Sequence, residues 1–433
     1  MAAHAARIGA RAGDAAVITV DPPDETTALI LLLALARIGV TTADPDLPGH
    51  DGIVFRSAGS PSRSPGAVIF DASWLEGSSP PEPLIHDDPS AVVRVVSSSG
   101  TTGRPKLVAF SHDLMARRVF ARWLGLSGGR AVRMIAVGLS GAWGYGNVLR
   151  TLWAGGTLVL FDMRDPIGPM RRHGVTHLMA STLALRSILG HLGEDPPPPA
   201  LETIEVSGSA VPHGLAREVM ARLCPDLVVY LGATEVGSVA SGPAATIIAE
   251  RDTRPGLVGP IFPGVRMQAV DESDQPLPVG REGVLRVATG THVEGYIGGA
   301  RQEVGFRDGW FYPGDVGTVW PDGMVSLTGR TSEIINSGGV KVSPEVIEER
   351  LLALPGIAEA AAFGVPDAGG VDRIWAAIVA DPPIDEAVLD AFCDRSPKGQ
   401  APEVILRLTA LPKTESGKVL RRALREMALT MER

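Results

Sequence analysis

Short apolar runs that read as strands alternate with helical runs along most of this chain, and this alternation limits the folds open to it. Strand-like examples are AAVITV, AVIFDASW and TLVLF, and LMARRVFARWL is a helical run between them. The 51 glycines and 35 prolines divide the sequence into many short elements. Because 433 residues are too many for a single core, the pattern predicts an α/β protein with more than one domain.

The pattern changes twice towards the C-terminus. Over about 259–329, short β runs are separated by PG, DG and GR turns, which predicts an antiparallel sheet or distorted barrel. Beyond that stretch, helices and strands compose a smaller α+β unit. We predict a large N-terminal domain of αβ-layered sheets over 1–330, including the β-rich part, and a small mobile α+β domain over 331–433.

Charge and cysteine content narrow the function class. The formal net charge of -9 and pI near 5.6 argue against a nucleic-acid partner, which normally requires a basic surface. Cys224 and Cys393 are far apart and lack neighbours at metal-ligand spacing. The most apolar run, TTALILLLALARIGV, is too short for a membrane span and predicts a buried helix ending at Arg37. We expect a cytoplasmic enzyme that acts on small molecules.

A loop of hydroxyls, glycines and one lysine, VSSSGTTGRPK, directly follows the apolar run AVVRVV. Free backbone N–H groups and hydroxyls of such a loop suit a phosphate. The run does not match the P-loop pattern, because Pro105 occupies a position that the motif reserves for Gly and Leu107 follows Lys106. From these residues alone, a phosphate-binding loop and a polar surface loop remain open.

Four further motifs follow this loop in order: GATE at 232–235, GWFYPGD at 309–315, GRTSEIINSGGVKVSPEVIE at 329–348 and LPKTESGKVLRR at 411–422. Together the five motifs resemble the adenylate-forming superfamily of acyl-CoA synthetases, nonribosomal-peptide adenylation domains and luciferases. The resemblance covers about 90–425. It implies an ATP-dependent ligase that forms an acyl-adenylate, releases pyrophosphate and passes the acyl group to a thiol. The implied cofactors are ATP, Mg²⁺ and coenzyme A, or the phosphopantetheine of a carrier protein.

The resemblance also assigns the nucleotide contacts. The phosphate-binding residues are Ser98, Ser99, Gly100, Thr101, Thr102, Gly103 and Lys106. Asp315 would accept hydrogen bonds from the ribose hydroxyls, and Arg330 would help to anchor the ribose end of the nucleotide. The alternative for Asp315 is a turn-forming role. Residues near adenine are Ser207, Gly208, Ser209, Leu231 and Gly232. For the first three, close strand packing is equally compatible with their small size.

The catalytic residues implied by the resemblance are Thr234, Glu235 and Lys418. Glu235 would bind Mg²⁺, and Lys418 would place its charge between the carboxylate and the α-phosphate. The alternatives are a solvated loop acid for Glu235 and a basic helix face for Lys418.

In the smaller domain, the turn of Gly338 and Gly339 would approach a pantetheine thiol, unless it is a hairpin turn without a ligand. By the same resemblance, Ser332 occupies the position of the hinge between the two domains, two residues after Arg330.

The acid-binding pocket is assigned to Ser140, Trp143 and Tyr145, although aromatic side chains at this spacing also commonly fill a core. The run GLSGAWGYGN lacks an acidic residue to pair with an ammonium group, which disfavours an amino-acid substrate. The expected partners are a small carboxylic acid and an acyl carrier protein.

The sequence departs from the family pattern at three points. Fewer residues than usual precede the phosphate loop, Leu231 replaces the common aromatic residue beside Tyr230, and Ser332 replaces the usual Asp or Lys. The second departure bears on adenine packing and the third on domain rotation.

The short region before the phosphate loop leaves open an alternative function, a catalytically weak binding or regulatory protein on the same fold. A P-loop NTPase is a separate third alternative, and the motif mismatch argues against it.

Overall fold

The computed structural model describes residues 18–21, 25–43, 54–57, 68–70, 87–98, 106–121, 131–139, 141–297, 305–337, 340–367, 371–397, 399–413 and 419–431. The chain divides into two compact units, each assembled from separate segments. Unit 1 contains Met1–Met179, Ala233–Gly237 and Thr289–Phe311, and unit 2 contains Ala180–Gly232, Ser238–Ala288 and Tyr312–Arg433.

The first sheet of unit 1 contains β1 (Ile18–Asp21), β2 (Thr42–Ala43), β3 (Val54–Ser57), β4 (Val68–Phe70), β5 (Val92–Ser98) and β6 (Lys106–Ser111). Their order is β4-β3-β1-β2-β5-β6, with parallel pairs except for antiparallel β5 and β6. Residues 93–96 of β5 are all buried, as expected of a strand covered on both faces.

Helix α1 (Glu25–Arg37) confirms the buried helix predicted from the leucine-rich run. Leu31, Leu32 and Leu35 recur at helical spacing and pack in a core with Val108 and Phe110 of β6. The helix stops at Arg37 because Gly39, with φ of 75°, lets the chain turn back, and Val40 N donates to Leu35 O.

The remainder of unit 1 begins with α2 (His112–Ala121), β7 (Val132–Ala136), α3 (Ala142–Trp153), β8 (Thr157–Leu160), α4 (Gly168–His173) and β9 (His177–Ala180). The strand order is β9-β7-β8, and β7 and β8 are parallel. Alternation of strands and helices in this stretch agrees with the α/β class predicted from sequence.

Unit 2 opens with α5 (Thr182–Leu192), β10 (Thr203–Val206), α6 (His213–Arg222), β11 (Leu227–Ala233), β12 (Gly237–Pro243) and α7 (Ala244–Ala249). The side chain of Ser181 accepts a hydrogen bond from Ala184 N and caps α5. Leu185, Ile188 and Leu192 are buried along one face of that helix. The strand order is β12-β11-β10, and β10 and β11 are parallel.

The β-rich part of unit 2 contains β13 (Leu257–Pro260), β14 (Arg266–Val270) and β15 (Glu282–Ala288). Along the chain, a short hairpin of unit 1 follows, with β16 (Phe306–Arg307) and β17 (Trp310–Phe311), before β18 (Asp315–Val319) and β19 (Met324–Arg330). Within unit 2 the order is β13-β19-β18-β15-β14, and every pair is antiparallel. The antiparallel sheet predicted over 259–329 is therefore present.

The C-terminal part of unit 2 contains β20 (Ile335–Ser337), β21 (Val340–Val342), α8 (Pro344–Leu352), β22 (Ile357–Pro366), β23 (Asp372–Ala380), α9 (Glu386–Asp394), β24 (Val404–Arg407) and α10 (Arg421–Met431). Side chains of β22 alternate between two cores, with Ala360 and Ala362 in one and Phe363 and Val365 in the other. Both faces of this small sheet are thus covered. Among the described helices, none has the length and apolar character that crossing a membrane requires.

Candidate active site

The hydroxyl-rich loop connects two strands of unit 1. Ser98 ends β5 and Lys106 begins β6, and the two residues are opposite each other in the antiparallel pairing. The loop positions predicted to bind phosphate lie outside the described residues, as does the side chain of Ser98; they are Ser99, Gly100, Thr101, Thr102 and Gly103. Because a strand and not a helix follows the loop, the fold lacks the helix N-terminus on which a P-loop depends.

Glu235 lies just after β11 and is buried, with 6% of its surface exposed. The hydroxyl of Tyr296 donates a hydrogen bond to Oε1 of Glu235 at 2.8 Å. Burial, and then the charge of Glu235, raise the pKa of Tyr296 above its ordinary value. The tyrosine hydroxyl therefore keeps its proton and acts as the donor.

The Glu235 carboxylate fits the predicted magnesium role. Within the described part of the chain, Tyr296 is the side chain that donates to this carboxylate, and Oε2 accepts no hydrogen bond. A carboxylate oxygen is a ligand that Mg²⁺ prefers. The described residues contain no group of three or more His, Cys, Asp or Glu side chains suited to a metal. Phosphate and water oxygens are further ligands that a hard cation such as Mg²⁺ accepts beside a carboxylate.

Lys106 also contacts Tyr296, through the aromatic ring and not through the hydroxyl. Its Nζ lies 4.7 Å from the ring centroid of Tyr296, within range of a cation–π interaction. The backbone supports this arrangement, because Ile297 N donates to Leu107 O at 2.9 Å and Val293 N donates to Glu235 O at 2.8 Å. The structure thus brings together Lys106 and Glu235, which are far apart in sequence, at one aromatic side chain.

Arg118 of α2 holds the backbone around Glu235. Its guanidinium donates to the carbonyl oxygens of Thr234, Glu235 and Thr291, each at 2.9 Å. Burial lowers the pKa of Arg118 to about 10, while the negative charge of Glu235 opposes that shift. The guanidinium therefore stays charged near neutral pH, and its planar fork fixes two chain segments at once.

Neither Tyr296 nor Arg118 was among the residues predicted from sequence. A tyrosine in EGYIGG and an arginine in MARRVFA have no spacing that points to chemistry. For Tyr296, the adjacent glycines offer a weak signal of close backbone approach. For Arg118 we find no signal in the sequence.

The predicted ribose-binding pair lies in unit 2. Asp315 and Arg330 are opposite each other on β18 and β19, and Nε of Arg330 lies 3.0 Å from Oδ1 of Asp315. Asp315 is 7% exposed. The pairing fixes the direction of the carboxylate at the start of its strand.

The predicted adenine-side residues also lie in unit 2. Ser207 Oγ donates to Tyr230 O at 3.1 Å, and the hydroxyls of Ser209 and Thr182 are 2.9 Å apart. Gly208 has φ of 95°, a conformation that side-chain-bearing residues rarely adopt. Strand packing and a sharp turn are thus both present at 207–209. Leu231 and Gly232 continue along β11.

The aromatic residues assigned to the acid pocket are in unit 1, on α3. Tyr145 is 2% exposed and packs in the core beneath the guanidinium of Arg94, 5.0 Å from its ring centroid. Trp143 is half-buried and packs against Leu139 and its apolar neighbours. Its Nε1 is buried and has no hydrogen-bond partner among the described residues. Ser140 lies outside those residues.

The predicted hinge residue, Ser332, is exposed between two anchored neighbours. Thr331 N donates to Gly314 O at 2.8 Å. On the other side, Glu333 Oε2 lies 2.6 Å from Nη1 of Arg421, which also pairs with Glu348.

The remaining predicted residues, Gly338, Gly339 and Lys418, lie outside the described residues. The strands on either side of the two glycines pair in a hairpin, with Ser337 opposite Val340. Val419, directly after Lys418, forms a β-bridge with Lys413.

Comparison with known families identifies the class of protein that this fold defines. The family model for AMP-binding enzymes matches residues 2–297, and the model for the AMP-binding enzyme C-terminal domain matches residues 346–418. The chain belongs to the AMP-binding enzyme family, which confirms the resemblance drawn from the five motifs. A crystal structure of ATP-bound MatB from Rhodopseudomonas palustris is 25% identical, with a TM-score of 0.83, and the match covers 100% of this chain and 93% of that one.

Two curated relatives are similar in sequence. A salicylyl-CoA synthase / salicylate adenylyltransferase from a Streptomyces species is 30% identical over 79% of this chain and 64% of the relative. A salicyl-AMP ligase / salicyl-S-ArCP synthetase from Mycobacterium tuberculosis is 29% identical over 83% of this chain and 65% of the relative. The matched part therefore spans just under two thirds of these relatives' length.

Proposed function

We propose that this protein is an ATP-dependent carboxylic acid ligase that forms an acyl-adenylate and transfers the acyl group to a thiol, first of all that of coenzyme A. The observation that carries the proposal is that the Lys106 ammonium, at the end of the hydroxyl-rich loop, and the buried Glu235 carboxylate both contact Tyr296. Family membership and the ATP-bound structural neighbour support it.

In the first half-reaction, a carboxylate oxygen of the acid attacks the α-phosphorus of ATP. The bond from that phosphorus to the bridging oxygen breaks, and pyrophosphate leaves with the electron pair. Two anions must approach each other, so the site has to neutralise charge. Lys106 would contact the departing pyrophosphate, and Lys418 would lie between the carboxylate and the α-phosphate. Magnesium held by Glu235 would supply further neutralisation of the phosphates.

In the second half-reaction, the thiol loses its proton and its sulfur attacks the carbonyl carbon of the adenylate. A thioester forms and AMP leaves with the electrons of the broken anhydride bond. We propose that the domain over 331–433 turns about Ser332 for this step and that the turn of Gly338 and Gly339 then approaches the pantetheine. The domain over 1–330 would retain the adenylate, with Asp315 and Arg330 at the ribose.

Aromatic acids are the first substrates to test. The two curated relatives carry salicylate in their names, one with coenzyme A and the other with a carrier protein as acceptor. The run around Trp143 has no acidic partner for a substrate ammonium, so a carboxylic acid without an amino group is favoured. Coenzyme A and an acyl carrier protein are therefore the two acceptors to compare.

The deciding experiment is acid-dependent exchange of pyrophosphate into ATP across a panel of aryl and alkyl acids. AMP release should then be measured with coenzyme A, with a phosphopantetheinylated carrier protein and with neither. The proposal requires exchange with at least one acid and AMP release that increases with an acceptor. ATP binding without exchange would instead indicate the weakly catalytic regulatory protein, and ADP as the product would indicate an NTPase.

A further inference from the structure

Tyr296 joins the two parts of unit 1 that carry the predicted metal-binding and phosphate-binding residues. Its segment is fixed by backbone hydrogen bonds to both, from Val293 N to Glu235 O and from Ile297 N to Leu107 O. The side chain is 8% exposed. Tyr296 is therefore held in place by the backbone on both sides, independently of its hydroxyl group.

The ends of this side chain contact opposite charges. The ring lies 4.7 Å from the Lys106 ammonium, and the hydroxyl donates to Oε1 of Glu235 at 2.8 Å. We propose that Tyr296 is a positioning residue for adenylation, whose ring places the Lys106 ammonium and whose hydroxyl orients the Glu235 carboxylate so that Oε2 faces a divalent cation. This inference rests on the proposed function, because it assigns a role within that reaction.

The two contacts depend on different parts of tyrosine. A cation–π interaction needs the ring alone, so phenylalanine preserves it. Only the hydroxyl can hold Oε1, and a hydrogen bond to a charged carboxylate is among the stronger ones in proteins. Without that donor, the carboxylate can rotate and must be reordered whenever a cation binds. The roles of ring and hydroxyl can therefore be separated by substitution.

Packing offers the competing explanation, in which Tyr296 only fills space. Its ring lies 5.4 Å from that of Phe306, which is partly buried and packs against the apolar cluster that contains Tyr296. A space-filling residue would affect stability without changing how the enzyme responds to metal. Metal dependence is thus the property that distinguishes the two explanations.

The test compares Tyr296→Phe and Tyr296→Leu with the wild-type enzyme. The matched control is Tyr312→Phe, because the hydroxyl of Tyr312 also donates to a carboxylate, that of Asp274, at 2.9 and 3.0 Å. For Tyr296→Phe we expect the half-saturating Mg²⁺ concentration in pyrophosphate exchange to rise about tenfold while the KM for ATP stays within about twofold. Tyr296→Leu should raise both quantities, and Tyr312→Phe should change neither.

A binding measurement that needs no turnover accompanies these kinetics. Mn²⁺ is titrated into each protein with ATP present, and free Mn²⁺ is followed by electron paramagnetic resonance. We expect weaker Mn²⁺ binding for Tyr296→Phe, and we expect Tyr296→Phe to cause no further loss in a Glu235→Gln background, because the tyrosine acts only through that carboxylate. Unchanged Mn²⁺ binding and Mg²⁺ dependence in Tyr296→Phe, or fully additive losses in the double variant, would overturn the positioning role.

The outcomes separate this inference from the proposed function. Failure of the wild-type enzyme to exchange pyrophosphate with any acid would refute the ligase proposal. Wild-type exchange with a Tyr296→Phe variant that responds to Mg²⁺ as the wild type does would refute only the role of Tyr296. If Tyr296→Leu does not fold, Tyr296→Phe and its control still decide the matter, because they preserve the aromatic packing.

Discussion

Nε of Arg330 lies 3.0 Å from Oδ1 of Asp315, and the two residues are opposite each other on neighbouring antiparallel strands. An ion pair built into strand pairing fixes the acceptor direction of the carboxylate before any ligand binds. If Asp315 accepts hydrogen bonds from the ribose, this preorganisation contributes directly to nucleotide affinity.

Asp315→Asn is therefore expected to weaken ATP binding selectively. Asparagine has a similar size but replaces one acceptor oxygen by a donor, which faces both the ribose hydroxyls and Arg330 unfavourably. We expect the KM for ATP to rise about tenfold and the KM for the acid to change less than twofold. Initial rates of exchange at varied ATP and acid provide the measurement. A similar increase in both KM values would argue against a ribose contact.

Lys418→Ala should abolish adenylation and largely spare thioester formation from supplied acyl-adenylate. In the proposed role, the lysine charge would be needed only while the carboxylate and α-phosphate approach each other. The two half-reactions are measured separately, by pyrophosphate exchange and by thioester yield from synthetic adenylate. The control is Lys413→Ala, because Lys413 already pairs with Glu359. Loss of both half-reactions in Lys418→Ala would contradict the assignment.

Glu235→Gln should raise the magnesium requirement and lower the adenylation rate. The amide removes the negative charge but preserves size and the ability to accept from Tyr296. A magnesium titration of the exchange rate measures the effect, which we expect to exceed tenfold in half-saturating concentration, or about 1.4 kcal/mol. Glu294→Gln is the matched control, since Glu294 is an exposed acid nearby in sequence to Tyr296. An identical titration for both variants would make Glu235 a structural acid.

Ser332→Pro should separate the two half-reactions at the hinge. Thr331 is anchored to Gly314, and Glu333 is anchored to Arg421, so Ser332 is the exposed residue between two fixed points. Proline restricts φ at this position and removes no hydrogen bond recorded among the described residues. We expect exchange to remain near the wild-type rate while thioester formation falls about tenfold or more.

The control for the hinge is Ser332→Ala, which leaves φ and ψ free. It should retain both half-reactions. Full thioester formation by Ser332→Pro would mean that rotation occurs elsewhere or that the acceptor reaches the adenylate without it.

We expect the contribution of Tyr296 to the free energy of unfolding to decrease at alkaline pH. Its pKa is raised in the folded protein by burial and by Glu235, whereas an unfolded tyrosine ionises near pH 10. Stability from this residue is therefore complete below about pH 10 and declines above it, by about 1.4 kcal/mol per pH unit. The difference in free energy of unfolding between wild type and Tyr296→Phe should shrink from about pH 8.5 to about pH 11. Urea unfolding of both proteins at each pH measures this difference. The same difference at every pH would contradict a raised pKa of Tyr296.

Local patterns were sufficient for many elements of the fold. The apolar run TTALILLLALARIGV predicted α1, and short β runs separated by turns predicted the antiparallel sheet over 259–329. These elements are set by patterns within one segment, which a sequence displays directly. The five motifs likewise indicated the family, because each is a continuous run of residues.

The arrangement around Glu235 was beyond local patterns. Tyr296 reaches Glu235 across 61 residues, and Arg118 reaches it across 117. Neither has a neighbour along the chain that reveals the contact. The two compact units are also assembled from discontinuous segments, and periodicity within a segment says nothing about which distant segments will pack together. Such contacts depend on tertiary structure, and so they became visible only there.

The contacts of Arg421 also determine where this chain can be recombined with a relative. The side chain of Arg421 pairs with Glu333 and Glu348, so the side chain of the residue directly after Ser332 is joined to α10, while its backbone N donates to Arg330 O at the end of β19. A crossover placed after Glu333 would separate this acid from its arginine and leave a partly buried charge without its counterion. A crossover between Thr331 and Glu333 would transfer the complete set of charges with the C-terminal segment. The Arg421 pairs therefore set the downstream limit of the junction, which must lie before Glu333.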